Sequence, residues 1–344
     1  MLQPLRFARR VVTTQTTREL GLNGWQAPAG VMVLRSDSLL AWVLPLGARL
    51  MQLFWLHDPR GQRPLTLGFA DPQAYAQDRA YLGAVCGRYA NRIGGAVLER
   101  DGQRYPLDAN TPHGHCLHGG SRGWDQRPWQ VIHHTADSVE LLLDSTHGEM
   151  GFPGNCQARV VYRLEGARLV WHAQARVDRD CPVNMVQHSY WNLDGQPDLR
   201  GHRLQVDAQH YHPVDARELP QAATAVAGSC FDFRGPAPIA EACVPHLDAA
   251  LVLDGAAGSL RSVARLQGGG LAMDVSTDRP YLHVYASANL RATEQPLGVA
   301  HGPGAALCLE TEDMPNGPAL GDNVWYGPQR DYQHTLALDF SQTA

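Results

Sequence analysis

Residues 138–177 read SVELLLDSTHGEMGFPGNCQARVVYRLEGARLVWHAQARV, and three stretches within them alternate apolar and polar side chains. In 168–177, Leu169, Trp171, Ala173, Ala175 and Val177 fall on one side while Arg168, His172, Gln174 and Arg176 fall on the other. In 158–164, Val160, Tyr162 and Leu164 oppose Arg159 and Arg163; in 138–144, Val139, Leu141 and Leu143 oppose Glu140 and Asp144. A period of two sends successive side chains to opposite faces of an extended chain, so these are three consecutive, half-buried antiparallel strands.

Working outward, short apolar runs recur at 39–44, 50–56, 129–133, 203–207, 281–286 and 305–309, each bounded by Gly, Pro, Asn or Asp. That punctuation belongs to strands and turns. The 34 glycines and 23 prolines are too many for a helix bundle. One helix is expected, with Asp71 as N-cap, Pro72 at its first position and QAYAQDRAY following. The fold expected is all-β: a large antiparallel β-sandwich with few short helices, forming one domain over residues 1–344. Residues 213–238, rich in Pro, Ala and Gly, read as a long surface connection that walls a cleft.

The 344-residue chain is 44% hydrophobic and 18% charged, an ordinary globular composition. Its formal charge is −5 and its arginines are scattered, which argues against nucleic acid or an anionic membrane as partner. No stretch approaches the roughly 18 consecutive apolar residues of a membrane span. The opening MLQPLRFARRVVTTQTTREL carries positive charge with no apolar segment behind it, so no classical signal peptide is expected and a cytoplasmic location is. Seven cysteines without a CxxC spacing read as reduced, mostly buried thiols. Cys308, two residues from Glu310, is read the same way rather than as a nucleophile.

Four segments gather polar side chains at strand ends: GRYANRIGGA (87–96), CLHGGSRGWD (116–125), VNMVQHSYWNLDG (183–195) and LCLETEDMP (307–315). Together they offer a carboxylate, two imidazoles, a guanidinium and an amide, with Tyr190, Trp191 and Trp124 to floor a pocket. Glu310 follows the buried run ALCL and shares a strand face with Ala306 and Cys308. A carboxylate so placed faces the interior or a cleft, where burial lifts its pKa toward that of a general base at neutral pH. His188 lies in a partly apolar stretch with hydrogen-bonding neighbours, suited to donating a proton. HGHCLH packs His113, His115, Cys116 and His118 into six residues, but an irregular loop without a second ligand pair is not a zinc site, so no metal is expected.

These segments, in this order and joined by FDFR (231–234) and PYLHVY (280–285), resemble the aldose 1-epimerase (galactose mutarotase) family from about Leu39 to the C-terminal strand. The resemblance implies a β-sandwich with an open cleft acting on free monosaccharides without metal or organic cofactor. It implies Glu310 as the base that removes the C1 hydroxyl proton, His188 as the acid that protonates the ring oxygen, and His118 as a hydrogen-bond donor near that oxygen. Asn91, Arg92 and Asp248 would bind sugar hydroxyls, with Tyr190 and His283 lining the site. The chain departs from the family pattern in reading Asp248-Ala249-Ala250-Leu251 where Asp-His-Asn-Phe is typical, and His283 where a glutamine is common. The identity of the aldose stays open, as does the choice between monomer and homodimer. Competing readings are a catalytically idle sugar-binding protein, an epimerase of hexose phosphates, for which Arg122 and Arg127 are available, and a glycosidase, whose second carboxylate could only be Asp248.

Overall fold

A computed structural model describes residues 27–59, 61–293 and 296–343. The opening segment read for a signal peptide, residues 1–20, lies outside them. The three strands read from the alternation are Ser138–Ser145, Cys156–Glu165 and Arg168–Val177. They pair antiparallel in register, Tyr162 opposite both Val139 and Trp171. Gly166 supplies the positive φ, 60°, that the two-residue turn between the second and third requires.

This meander is one flank of a nine-stranded antiparallel sheet. Tyr332–Gln342, Leu271–Thr277, Arg261–Gly268, Arg203–Val206 and Ala237–Pro238 continue it on one side, and Gln130–His134 closes it on the other. A six-stranded sheet, in the order Tyr190–Trp191, Leu307–Glu312, Tyr281–Tyr285, Asp248–Leu253, Ala208–His212 and Thr224–Ala225, forms the facing layer. Leu169, Trp171, Ala173, Ala175 and Val177 of the large sheet share one core with Leu251, Leu282, Val284, Leu307 and Leu309 of the smaller one. Outward, Arg159–Glu140 and Arg265–Asp274 pair across neighbouring strands. The fold is an antiparallel β-sandwich.

The apolar face of the six-stranded sheet decides where chemistry can sit. Each buried Leu or Val contributes about 1.5–3 kcal/mol. Slipping the strand Leu307–Glu312 by one residue would expose Leu307 and Leu309 and drive Cys308, Glu310 and Glu312 into the core. Packing on one face therefore fixes the carboxylates on the other.

Three expectations need correction. The run 305–309 was expected to end before Glu310, yet the strand continues to Glu312, because Glu310 and Glu312 pair with His283 and Tyr281. The predicted helix is a 3-10 turn over Pro72–Gln77, capped by Asp71 accepting from the Gln73 N–H. It stops because the Asp78 carboxylate bends the following chain, accepting from the N–H groups of Ala80 and Leu82 and from buried Arg49. The cysteines are not all reduced: Cys230 and Cys243 form a disulfide. The FDFR turn, anchored in the core by Phe231 and Phe233, and the turn Glu241–His246 bring their Cα atoms to 5.4 Å, within bridging range. An odd cysteine count argues against a fully paired set, not against one pair. The other five cysteines among the described residues are free and buried.

Candidate active site

Cross-strand register assembles the floor of the site. Glu310 lies opposite His283, Cys308 lies opposite both Tyr285 and Tyr190, and Asp248 lies opposite Tyr285. Glu310, His283, Asp248, Tyr285 and Tyr190 point away from the sandwich core into a cavity of about 630 Å³, lined also by Asn91, Arg92, His118 and His188, while Cys308 is fully buried among neighbouring apolar side chains. The eight residues singled out from the sequence thus line one cavity.

His188 comes from a ribbon, Val186–His188, paired with Ala84–Cys86. Its imidazole is stacked between Tyr190 at 5.2 Å and Tyr81 at 5.9 Å, and Nε2 stands 3.5 Å from Glu310 Oε1. Both groups are buried, and burial disfavours charge on each. The Glu310 carboxyl is pushed up to about 8, partly restrained by the positive charge of His283, while His188 is pushed down to about 3.

His118 belongs to the LHGG turn, where Gly119 has φ of 88° and a Cβ would run into the Gly87 carbonyl oxygen. That glycine requirement is the physical content of the motif. His118 exchanges two hydrogen bonds with the Asn91 backbone: its N–H donates to the Asn91 carbonyl at 3.0 Å, and its Nδ1 accepts from the Asn91 N–H at 3.2 Å. Burial keeps the ring neutral, so the remaining proton is on Nε2, a donor on the cavity wall.

His283 bridges two acids, with Nε2 2.7 Å from Asp248 Oδ1 and Nδ1 3.3 Å from Glu312 Oε1. Burial opposes its charge, but these partners outweigh it and hold the imidazolium up to about 10. In return Asp248 stays below the usual carboxylate range, the His283 hydrogen bond and charge outweighing its burial. Asn91 Nδ2 also converges on Glu312 Oε1, at 3.5 Å, and its Oδ1 accepts from the Arg92 N–H, which fixes the amide on the cavity wall with hydrogen-bonding capacity left for a ligand. Arg92 pairs with Glu218 at 2.8 Å, while its Nε is buried with no protein acceptor. Glu218 sits on the 213–238 connection, which therefore reaches the cleft as expected.

Two aromatic residues expected in the floor are elsewhere. Trp191 alternates away from Tyr190 into the main core against Phe340, and Trp124 packs beneath Gly87 against Trp129. The sequence reading missed Tyr81 and Glu312. Glu312 was legible in LETE, two residues beyond Glu310 on the same face; Tyr81 lies where a helix was expected. Of the HGHCLH residues, His115 accepts from the Gly95 N–H and Cys116 lies in the core, as suits a structural loop.

Residues 31–338 match the sequence family described as aldose 1-epimerase. The aldose 1-epimerase of Escherichia coli is 34% identical over 305 residues, covering 85% of this chain and 88% of the relative. The galactose mutarotase of Bos taurus is 33% identical over 324 residues, covering 90% and 93%. The crystal structure of an aldose epimerase homologue from C. elegans superimposes with a TM-score of 0.85 at 28% identity, covering 92% of this chain and 99% of that one. Galactose 1-epimerase from Lactobacillus acidophilus gives 0.80 at 25% identity, over 91% and 94%. Sequence, sandwich and cleft agree, and the chain belongs to the aldose 1-epimerase family.

Proposed function

We propose that Glu310 and His188 are the proton-transfer pair with which this aldose 1-epimerase interconverts the α and β anomers of a free sugar. The observation that carries the assignment is their approach, 3.5 Å between Nε2 and Oε1, at the floor of the cavity. Ring opening removes a proton from the C1 hydroxyl and delivers one to the ring oxygen, so the protein gains one proton and gives one up. A pair that carries a single proton between them suits that exchange: Glu310 accepts from O1 as His188 donates to the ring oxygen. Rotation about C1–C2 and reclosure on the other face reverse both transfers. Each group, when positioned, supplies a factor on the order of 10²–10⁴.

The remaining residues bind and orient. The Nε2–H of His118 donates near the ring oxygen, the free Nε of Arg92 meets a sugar hydroxyl, and Asp248, with Oδ1 committed to His283, offers Oδ2 as an acceptor. Asn91 acts by fixing His118 and Glu312, and Tyr190 supports His188. Galactose, named for two of the relatives, is proposed as one substrate among several aldoses. The test is polarimetry or exchange NMR on freshly dissolved α-anomers of galactose, glucose, arabinose, xylose and fucose. Spontaneous rates across the panel would leave a sugar-binding role instead.

Among the described residues no helix is long and apolar enough to cross a membrane. The proposed cytoplasmic home is opposed by the Cys230–Cys243 bridge, since disulfides persist in oxidising compartments; thiol trapping on protein taken directly from cells separates the two. A single catalytic unit, as monomer or homodimer, is the assembly proposed, read by light scattering.

A further inference from the structure

We propose that His188, Glu310 and Cys308 form a binding site for a borderline-soft divalent cation, zinc above all, and that the cation inhibits the enzyme by occupying the floor of the sugar cavity. Cys308 and Glu310 are two apart on one strand, so the pleat presents a thiol and a carboxylate side by side, and His188 reaches over them from a separate ribbon. One ligand atom from each lies within 4.8 Å of the others, the one such trio among the described residues. His188 Nε2 stands 3.5 Å from Glu310 Oε1, and Cys308 Sγ stands 3.7 Å from His188 Nδ1. Tetrahedral zinc, bonded at about 2.0–2.3 Å, holds neighbouring ligand atoms about 3.4–3.6 Å apart. The two approaches run to opposite nitrogens of the ring and a cation takes only one of them, so the trio must close on that nitrogen from within 4.8 Å.

The donor chemistry selects the ion. Imidazole, thiolate and carboxylate together suit zinc or cadmium and not magnesium or calcium, which take oxygen ligands. A thiolate and a carboxylate neutralise a dication, which matters where all three ligands are buried. The thiol proton and the proton of the His188–Glu310 pair leave to solvent as the metal binds. The charge of His283 nearby is already offset by Asp248 and Glu312. The fourth position faces the cavity and takes a water. The metal engages the same lone pairs that the reaction needs, so it competes with sugar rather than assisting ring opening.

The inhibition rests on the acid–base reading of Glu310 and His188; the metal ligation itself does not, and the experiment separates them. Zinc chloride is titrated into the enzyme during anomer exchange, and cobalt chloride into the sugar-free enzyme while the thiolate-to-cobalt charge-transfer absorption is recorded. Expected are inhibition competitive with sugar, reversal by EDTA, no effect of magnesium at equal concentration, and a cobalt band that sugar abolishes. Cys308→Ser should retain turnover, lose the band and need at least ten-fold more zinc for equal inhibition. Absence of the cobalt band, or equal zinc inhibition of the Cys308→Ser variant, overturns the site. A band without inhibition keeps the site and overturns the competition with sugar.

Discussion

His283 and Asp248 form a 2.7 Å Nε2–Oδ1 pair at the edge of the sugar cavity, and the same imidazolium stands directly across the strand pair from Glu310. One residue thus fixes the orientation of an acceptor for sugar and places a positive charge beside the catalytic carboxyl. That charge works against the burial that lifts Glu310, and Glu312 works with it. The balance between them sets where Glu310 titrates.

Replacing His283 separates the two effects. In His283→Gln the amide still donates to Asp248, so KM should change little, but the cation is lost and the Glu310 titration should move to higher pH. In His283→Ala both are lost, and KM should rise by about ten-fold or more, the cost of about 1.4 kcal/mol or more expected when a charge-assisted hydrogen bond disappears. Rates over pH for both variants are the check. Identical profiles in wild type and His283→Gln would show that the ring acts by shape alone.

The sandwich was legible because alternation survives in the sequence wherever one face of a strand is buried, as at Leu169, Trp171 and Ala173. The cavity-facing Glu310 was legible for the same reason, since Cys308, Glu310 and Glu312 alternate with Leu307, Leu309 and Thr311. Contacts set by tertiary approach were not. Tyr81 stacks on His188 because the Asp78 carboxylate bends residues 78–82 around Arg49, and nothing local to Tyr81 announces it. Cys230 and Cys243 meet because two turns dock on the core, and their spacing along the chain carries no such signal. Trp191 was assigned the cavity face although it neighbours Tyr190; alternation, applied there, places it in the core.

Removing either member of the proton-transfer pair should reduce turnover without unfolding the protein. Glu310→Gln and His188→Asn are each expected to lower kcat by 10²–10⁴-fold, on the order of one positioned acid or base. KM should move far less, because both groups act on the reacting oxygens. Exchange NMR at saturating sugar gives kcat, and circular dichroism verifies the fold. A variant that loses affinity but keeps kcat assigns that residue to binding.

Arg49 is fully buried and held by Asp78 at 2.7 Å and by the carbonyl oxygens of Leu82 and Asp125. Asp78→Ala leaves that guanidinium buried with only the more distant Asp125 carboxylate, at 3.8 Å, and frees the N–H groups of Ala80 and Leu82. The expected cost is about 3–5 kcal/mol by urea denaturation. Replacing both, Arg49→Met with Asp78→Leu, should recover part of this loss, since the guanidinium is gone and Asp125 keeps its hydrogen bond from Gln126 Nε2. Turnover should fall in both, because Tyr81 and its stacking on His188 depend on the bend at Asp78. A loss below about 1 kcal/mol in Asp78→Ala would mean that water reaches Arg49 and the pair is of the surface kind.

The pH profile tests the shared proton itself. Below about 3, where His188 titrates, both groups are protonated and nothing can accept from the C1 hydroxyl. Above about 8, where Glu310 titrates, both have lost their protons and nothing can donate to the ring oxygen. Between these limits the pair holds one proton, and its two arrangements, neutral acid with neutral imidazole or carboxylate with imidazolium, interconvert over 3.5 Å. After subtraction of the spontaneous rate at each pH, kcat/KM should be flat through neutrality and fall above about 8, the limb that His283→Gln is expected to move upward. A profile that instead climbs through pH 8 would mean that the Glu310 carboxylate works without a protonated partner, and the donor to the ring oxygen would have to be sought in the Nε2–H of His118.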